Sequence, residues 1–315
     1  MGSGVLLSST VNRFELRLPK CRGGWLASGL RPLYPPESTY VVRITPGVLE
    51  NIHLVGQEKT HMGGTVPPLN VRLAREGKGN FTQAYPHLRA IGKLPHHTLF
   101  GFVVAADTGL TSLADIRSQR YPLKLATRLV PYGSINFIAT QILDYYGISP
   151  TALQEWGGGV VPAGAAYSAV EQLVRGEADA ILNQVGVAIW EKLARTKRVR
   201  FLPFDEELVQ HLERQYGCTR AWIKKGQFAG VDKDILCLDW SDLILFASEG
   251  LRFDIGYNLA RVLIGTREIL EHLMYTPGEG YSHLTAPIDP KLVCRDLEVP
   301  LHAGAEQWFQ ERGYL

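Results

Sequence analysis

The sequence predicts an α/β fold in two lobes, each with a mixed, mostly parallel sheet flanked by helices. Three observations support this fold class. The chain has 315 residues, about twice a common domain length of roughly 150 residues. Strand-like and helix-like segments alternate along most of it, as in parallel sheets connected by helices. The hydrophobic fraction of 45% suits an ordinary globular core that needs neither metal nor disulfides.

Apolar spacing predicts the first elements in chain order. Residues 14–18 alternate apolar and charged side chains, which indicates a strand, and residues 40–44 form a second strand. Residues 48–55 carry apolar side chains at helical spacing. Two strongly apolar strands follow at 88–91 and 99–104.

The middle of the chain alternates more regularly. Ser112 is placed to cap a short helix, and an amphipathic helix at 135–146 ends at Gly147, where a left-handed C-cap belongs. The other predicted elements are strands at 123–126 and 178–182, helices at 165–175 and 187–194, extended segments at 221–223, 235–238 and 243–247, helices at 253–264 and 266–273, and a Pro/Gly-rich loop at 276–290.

The chain is expected to cross between its lobes twice, near 103–106 and near 231–238. Lobe one is then discontinuous, formed by residues 1–104 and 232–315, and lobe two comprises residues 105–231. Two crossings create a cleft between lobes, which is a common place for a small ligand.

Charge and hydropathy exclude two classes of function. The net charge of +2 gives no electrostatic case for nucleic acid, which needs a concentrated basic face. No apolar run approaches the roughly 18 residues of a membrane helix. Residues 1–4 lack the features of a signal peptide, and a Gly-Ser remnant is compatible with a removed leader. We therefore expect a periplasmic location if a leader was removed, and a cytoplasmic one otherwise.

Signatures of metal, cofactor and common enzyme chemistry are missing from the sequence. Cys21, Cys218, Cys237 and Cys294 form no C-x-x-C pair; a Cys218–Cys237 bridge is conceivable, but buried free thiols are favoured. There is no nucleophile elbow, phosphate loop or zinc helix. The Gly157–Gly159 run lacks dinucleotide spacing and is interpreted as a flexible loop. No metal or cofactor is expected.

The most informative chemical segment runs from Arg128 to Asn136. A strand enters a Pro/Gly turn, and a helix begins at or just after Ser134. Free backbone N–H groups and the positive end of the helix dipole attract an anion there. Ser134 either caps the helix or donates its hydroxyl to a carboxylate, and Asn136 supplies an amide donor. Capping of an ordinary helix remains the alternative.

Six segments in order resemble the TAXI family, the solute receptors of TRAP transporters. Any one of them is weak evidence, whereas six in the family's order are strong evidence. They are Gly-Gly-Trp at 23–25, the helix at 48–54, the hinge-like segment at 101–115, Tyr-Gly-Ser at 132–134, Gly-Glu-Ala-Asp-Ala at 176–180, and Val-Pro-Leu-His-Ala-Gly-Ala-Glu at 299–306.

This resemblance implies a type II periplasmic-binding-protein fold and a receptor without catalytic residues. The receptor would capture a small organic carboxylate (an amino acid, a dicarboxylate or an aromatic acid) in the interlobe cleft for uptake by TRAP membrane subunits. The implied ligand contacts are Tyr132, Gly133, Ser134 and Asn136 on lobe two, Trp25 and Thr65 from lobe-one loops, Asn183 and Gln184 after a lobe-two strand, and Arg220. Arg220 is assigned to a second carboxylate, with a surface arginine as the alternative.

Departures from the family pattern support a second hypothesis. The loop at 58–68 differs from that of relatives, and Ile135 and Asn136 replace a glycine and a threonine of the anion-holding turn. A cytoplasmic enzyme on the same fold, such as a decarboxylase or a related lyase or hydrolase, would then act on a small carboxylate. His61, Glu58 or Cys21 would supply acid–base or nucleophilic chemistry. A ligand-sensing module is a third alternative.

Overall fold

The computed structural model describes residues 2–6, 13–19, 39–42, 48–129, 133–163, 166–274 and 284–315. It confirms the α/β class and divides the chain into two compact units. Unit one is built from the described segments before His97 and after Trp240, and the continuous stretch His97–Trp240 forms the body of unit two.

Unit one contains one sheet of six described strands. They are β1 (Gly2–Leu6), β2 (Arg13–Pro19), β3 (Thr39–Val42), β4 (Met62–Thr65), β5 (Leu88–Leu94) and β13 (Leu243–Ser248). Their order is β1-β2-β4-β13-β5, with β3 paired to β2. The last strand is inserted between two early ones, because β13 pairs with both β4 and β5.

Unit two contains one sheet of seven described strands. They are β6 (Thr98–Ala105), β7 (Lys124–Thr127), β8 (Gly159–Pro162), β9 (Ala180–Gly186), β10 (Val199–Leu202), β11 (Thr219–Ile223) and β12 (Ile235–Asp239). Their order is β11-β12-β6-β9-β7-β8, with β10 paired to β6. The fully buried β6 forms the centre of the sheet, and all eight of its residues are apolar, threonine or glycine.

Both sheets are mixed, as predicted, but the expectation that they are mostly parallel is wrong. Among the described strands, unit one has three antiparallel pairings and two parallel ones. Unit two has four antiparallel pairings and two parallel ones. The reason is that β6 and β13 each enter a sheet against the direction of their neighbours.

The unit boundaries differ from the expected positions at 104/105 and 231/232. The whole of β6 belongs to unit two, because it pairs with β9, β10 and β12 of the same sheet. The whole of β12 belongs there for the same reason. The crossings therefore lie ahead of β6 and after β12, near residues 97 and 240.

Helices flank the strands in both units. Most predicted helices are present within a residue or two of their expected bounds, whereas the helices at Leu69–Glu76, Pro150–Glu155, Glu206–Tyr216, Pro290–Val293 and Ala303–Glu311 were not predicted. The described helices are α1 (Val48–Gly56), α2 (Leu69–Glu76), α3 (Leu113–Ser118), α4 (Asn136–Tyr146), α5 (Pro150–Glu155), α6 (Ala166–Arg175), α7 (Val187–Thr196), α8 (Glu206–Tyr216), α9 (Phe253–Gly265), α10 (Arg267–Met274), α11 (Pro290–Val293) and α12 (Ala303–Glu311).

The glycine run between α5 and β8 has a steric cause, and flexibility is not needed to explain it. A Cβ on Gly158 would lie 2.3 Å from the Leu123 carbonyl oxygen, which is far too close. Gly157 has a φ of 88°, in the left-handed region that glycine tolerates best. The run therefore lets the chain pass directly over the start of β7.

The helix α3 begins with the predicted cap at Ser112. The Ser112 hydroxyl accepts from the Asp115 backbone N–H at 3.2 Å, and the Asp115 carboxylate accepts from the Ser112 backbone N–H at 2.9 Å. This reciprocal pair is a capping box, which satisfies two backbone donors at once.

Replacing Ser112 with alanine is expected to lower the free energy of unfolding by about 1 kcal/mol, because one backbone donor loses its acceptor. Urea denaturation followed by circular dichroism measures the change. The matched control is Ser118→Ala at the exposed end of the same helix, expected within about 0.5 kcal/mol of the parent. Equal loss in both variants would contradict the capping role.

Unit one ends with α12 packed against α9 through a glycine. His302 is 3% exposed, and its Nδ1 accepts from the Gly304 backbone N–H at 3.2 Å, which caps α12. Because Nδ1 accepts, Nε2 carries the proton and donates to the Leu251 carbonyl oxygen at 2.9 Å. Burial lowers the pKa of His302 from its ordinary value. The ring is therefore a neutral structural connector between α12 and the segment before α9.

Two remaining expectations concern membrane-spanning helices and the cysteines. None of the described helices combines the length and apolarity that a bilayer crossing requires. Cys218, Cys237 and Cys294 are buried and form no disulfide, so the conceivable Cys218–Cys237 bridge is not formed. Burial raises the pKa of Cys237 to about 12, which keeps this thiol protonated and unreactive.

Candidate functional site

Three parallel strands of unit two run to one edge of their sheet, where β7 and β8 end and β9 continues to Gly186. β7 pairs in parallel with β8 and β9, and Thr127 at the end of β7 lies between Pro162 and Leu182. Arg128 directly follows β7, and Asn183 is the residue of β9 that follows Leu182. Ligands of open α/β sheets bind outside the carboxyl ends of the strands. This edge is therefore the candidate site.

The helix α4 follows β7 and starts close to this edge. Gly133, Ser134 and Ile135 are buried, and the helix begins at Asn136. Ile135 is the N-cap, and its side chain makes no capping hydrogen bond. Ser134 precedes the N-cap, so its predicted capping role is not realised. The first turn thus has no side-chain cap, which leaves backbone donors and the positive helix end for an anion.

Asn183 lies in β9 with no accessible surface. Neither its Nδ2 nor its Oδ1 has a hydrogen-bond partner within the described part of the chain. A buried amide left without partners costs roughly 1–3 kcal/mol for each group. Such groups in native proteins are normally satisfied by protein or water, so an unpaired one indicates a position for a bound molecule.

Open space lies next to the Asn183 side chain. Asn183 is paired directly with Gly101 of β6, and directly opposed residues point to the same face of a sheet. Gly101 is buried, yet a Cβ built on it meets no atom within 4 Å. The missing side chain therefore leaves a small cavity on the face to which the Asn183 amide points.

Gln184 follows Asn183 directly and points to the opposite face, because side chains alternate along a strand. It is paired with Phe100, is half-buried, and its Oε1 also lacks a donor among the described residues. We predicted both neighbouring amides as contacts of one ligand, but their side chains point to opposite faces of the sheet.

Arg128 is the residue that the sequence interpretation missed, although it opens the segment that was singled out. It is half-buried directly after β7, and its Nε is inaccessible and without an acceptor in the described residues. Burial lowers its pKa from the ordinary arginine value, without an acidic side chain that opposes this effect. The sequence signal that could have identified Arg128 is its position as a single cationic residue between an apolar strand and a Gly turn.

Thr65 lies in unit one, at the end of β4; we predicted it in a loop. It is fully buried, and its Oγ1 lacks a partner within the described residues. Thr65 therefore remains a candidate ligand contact. The predicted contacts Trp25 and Tyr132 and the candidate nucleophile Cys21 lie outside the described residues.

Arg220 is removed from the set of candidate contacts. Its Nε and Nη2 donate to the two carboxylate oxygens of Glu213, and its Nη1 donates to Glu206, each at 2.7 Å. These hydrogen bonds, to Glu213 first and Glu206 second, raise the pKa of Arg220. Two carboxylates already hold the guanidinium at the surface, so it is not available for a ligand.

A surface pocket of about 870 Å³ in unit two contains none of the predicted contacts. It lies at the far end of α4 and is lined by Arg117, Tyr145 and Trp156, among others. The helix starts at the candidate edge and runs away from it, which separates the pocket from the site by the length of α4. The pocket's size alone gives it no chemical role.

The groups proposed for enzyme chemistry have ordinary surroundings. The carboxylate of Glu58 accepts from the Ser248 hydroxyl at 3.2 Å, and burial lowers the pKa of His61. In the part of the chain that the structure describes, no group of His, Cys, Asp and Glu is arranged to hold a metal.

Comparisons with known proteins give one family and several distant structures. A model described as the NMT1-like family matches residues 35–313. No curated protein matches the chain. Similar structures include MatC (Rpa3494) from Rhodopseudomonas palustris with bound malate (TM-score 0.45, 12% identity, covering 92% of this chain and 90% of that chain). PhnD1 from Prochlorococcus marinus with methylphosphonate has a TM-score of 0.46 at 10% identity, covering 93% of each chain. XAC2383 from Xanthomonas citri bound to chloride has a TM-score of 0.47 at 11% identity, covering 91% of each chain.

Proposed function

This chain belongs to the NMT1-like family, and we propose that it is a receptor that binds a small organic carboxylate at the carboxyl edge of the unit-two sheet. The observation that carries the proposal is the fully buried Asn183 amide, with both polar atoms unpartnered in the described residues, beside an open space. The uncapped start of α4 and the buried Ser134 at the same end of β7 support it.

The finer proposal follows the resemblance to the TAXI receptors. We propose an amino acid, a dicarboxylate or an aromatic acid as the ligand, TRAP membrane subunits as partners, and a periplasmic location. Gly133, Ser134 and Asn136 contribute the anion-binding donors, and Asn183 contributes an amide. Thr65 in unit one and the residues Trp25 and Tyr132 remain proposed contacts. The enzyme alternative is kept as an outcome of the test below.

Ser134→Leu is expected to abolish carboxylate binding, because an apolar side chain replaces the buried hydroxyl and covers the free donors of α4. L-Glutamate, L-malate and benzoate serve as probes, and the measurement is the shift in thermal midpoint that each produces. A ligand at a hundred times its Kd stabilises the parent protein by about 2.7 kcal/mol, and this stabilisation should disappear.

The matched control is Ser118→Leu, the same change at an exposed serine of unit two, which should retain the shift. Circular dichroism establishes that both variants are folded. Full affinity in Ser134→Leu would place the site elsewhere. Conversion of a bound probe into product would overturn the receptor proposal in favour of the enzyme.

A further inference from the structure

Arg128 is a cation whose counter-charge is missing from its surroundings. Its Nε is inaccessible and unpartnered, and no ion pair to it exists within the described residues. The neighbouring acidic residue on the parallel strands, Asp179, lies at the opposite edge, where it accepts from the Lys124 backbone N–H at 3.0 Å. Burying an unpaired charge is costly unless a partner compensates it. An external anion at this edge would supply the missing partner.

The pairing of the strands places Arg128 beside Asn183. Thr127 is the register partner of Leu182, so the next pair along the two parallel strands is Arg128 and Asn183. On its other side β7 pairs with β8, where the Ala163 backbone N–H donates to the Thr127 carbonyl oxygen at 3.2 Å. A molecule at the end of β7 thus meets a guanidinium and a carboxamide together.

The Asn183 amide specifies the second group of that molecule. A free Nδ2 needs an acceptor and a free Oδ1 needs a donor, and both are unpartnered in the described residues. An ionised carboxylate accepts only and would leave Oδ1 unsatisfied. A hydroxyl or a primary amide donates and accepts, and the open space at Gly101 admits a group of that size.

We propose that the ligand is a small carboxylate with a neutral hydroxyl or primary amide group, whose carboxylate pairs with Arg128 while the neutral group pairs with Asn183. This inference rests on the proposed function and specifies its ligand class. It makes Arg128 the charge partner and Asn183 the residue that selects against plain dicarboxylates.

Calorimetric titration with two matched pairs of probes tests the selection. L-Malate and succinate differ by one hydroxyl, and glutaramate and glutarate differ by an amide in place of a carboxylate. We expect the parent protein to prefer malate, glutaramate or both by about tenfold or more, since a site built for a hydrogen-bonding group discriminates strongly against analogues that lack it. In Asn183→Leu the two probes of each pair should bind with about equal affinity. Equal affinities within both pairs in the parent protein would overturn the assignment of Asn183.

Arg128→Met tests the charge partner. Affinity for each carboxylate should fall about a hundredfold or more, because a buried ion pair loses one member. Arg128→Lys keeps the charge without the two-pronged geometry and should lose less. The ligand-free Arg128→Met protein should have an equal or higher thermal midpoint, because an unpaired buried charge is gone. A purely structural arginine would give the opposite result, namely a lower midpoint with unchanged affinity.

Gly101→Val tests the open space. Valine suits a strand, and its Cβ meets no atom, so the variant should remain folded while it fills the space beside Asn183. Malate affinity should fall at least tenfold, and unchanged affinity would contradict the placement of the neutral group. If carboxylates bind in a Ser134-dependent way but Arg128→Met has no effect, only this inference fails. If no probe binds the parent protein, the proposed function fails with it.

Discussion

Gly304→Ala is expected to lower the free energy of unfolding by about 3 kcal/mol or more. A Cβ at Gly304 would lie 2.1 Å from the Phe253 carbonyl oxygen and 2.7 Å from the Tyr257 backbone nitrogen. Both atoms belong to the backbone of α9, which a rotamer change cannot move. The added methyl group must separate α12 from α9, and overpacking of this kind costs typically 1–3 kcal/mol and occasionally more. Guanidinium denaturation measures the loss.

The control for this prediction is Gly265→Ala, the same change at the end of α9. A Cβ there meets no atom within 4 Å, and alanine is the better helix former. We expect the control to be neutral or more stable by up to about 1 kcal/mol. If both variants are as stable as the parent protein, the close contact between α9 and α12 is incorrect.

His302→Ala is expected to cost about 2–4 kcal/mol. The change removes the cap of α12, the hydrogen bond to the Leu251 carbonyl oxygen and the ring that fills the space beside Gly256. Loss of a cap costs about 1 kcal/mol, and a buried acceptor left without its donor adds about 1–3 kcal/mol. Thermal denaturation at pH 8, where the ring is neutral in both states, measures this loss free of titration.

His302 also makes stability depend on pH. Its pKa is lowered in the folded protein, so the unfolded chain takes up a proton first as the pH falls below about 6.5. Stability therefore declines below that pH, by at most about 1.4 kcal/mol per pH unit for one group, until the folded ring is protonated too. Arg89 adds to the lowering, whereas the bond to Leu251 and the nearby Glu249 oppose it.

His302→Asn provides the comparison, because an amide oxygen can still accept from the Gly304 N–H but does not titrate. The slope of stability against pH between 4.5 and 6.5 should be shallower in this variant than in the parent protein. His53 and His61, whose pKas burial also lowers, contribute equally to both proteins. Identical slopes would show that His302 is not buried in its neutral form.

Local patterns in the sequence were sufficient for individual elements. The helix expected at 135–146 is present as Asn136–Tyr146, and Gly147 ends it with the predicted left-handed conformation, at φ 63° and ψ 36°. The strand expected at 99–104 is present as Thr98–Ala105. These features depend on the period of apolar residues and on backbone sterics, which neighbouring residues determine.

Strand direction and the choice between two arginines depend on distant residues. Alternation of apolar residues predicts a strand but not its partner, so the insertion of β13 between β4 and β5 had no local signal. Arg220 lies in a strand of unit two, and Arg128 directly follows another. Only the folded chain shows that Glu206 and Glu213 form ion pairs with Arg220. Arg128, in contrast, lacks an acidic partner in the described residues.

The insertion of β13 between β4 and β5 has a consequence for the order of events during synthesis. The body of unit two is complete once residue 240 has left the ribosome, whereas the sheet of unit one lacks an interior strand until residue 248 is available. Its strand β5 also contacts the segment before α12, where the Ala90 backbone N–H donates to the Pro300 carbonyl oxygen at 2.8 Å. Long-range pairing of this kind is slow, and domains fold as they emerge. The first unit to begin translation is therefore the last to close, and β4 and β5 lack their shared partner strand until residue 248 of the 315 has been made.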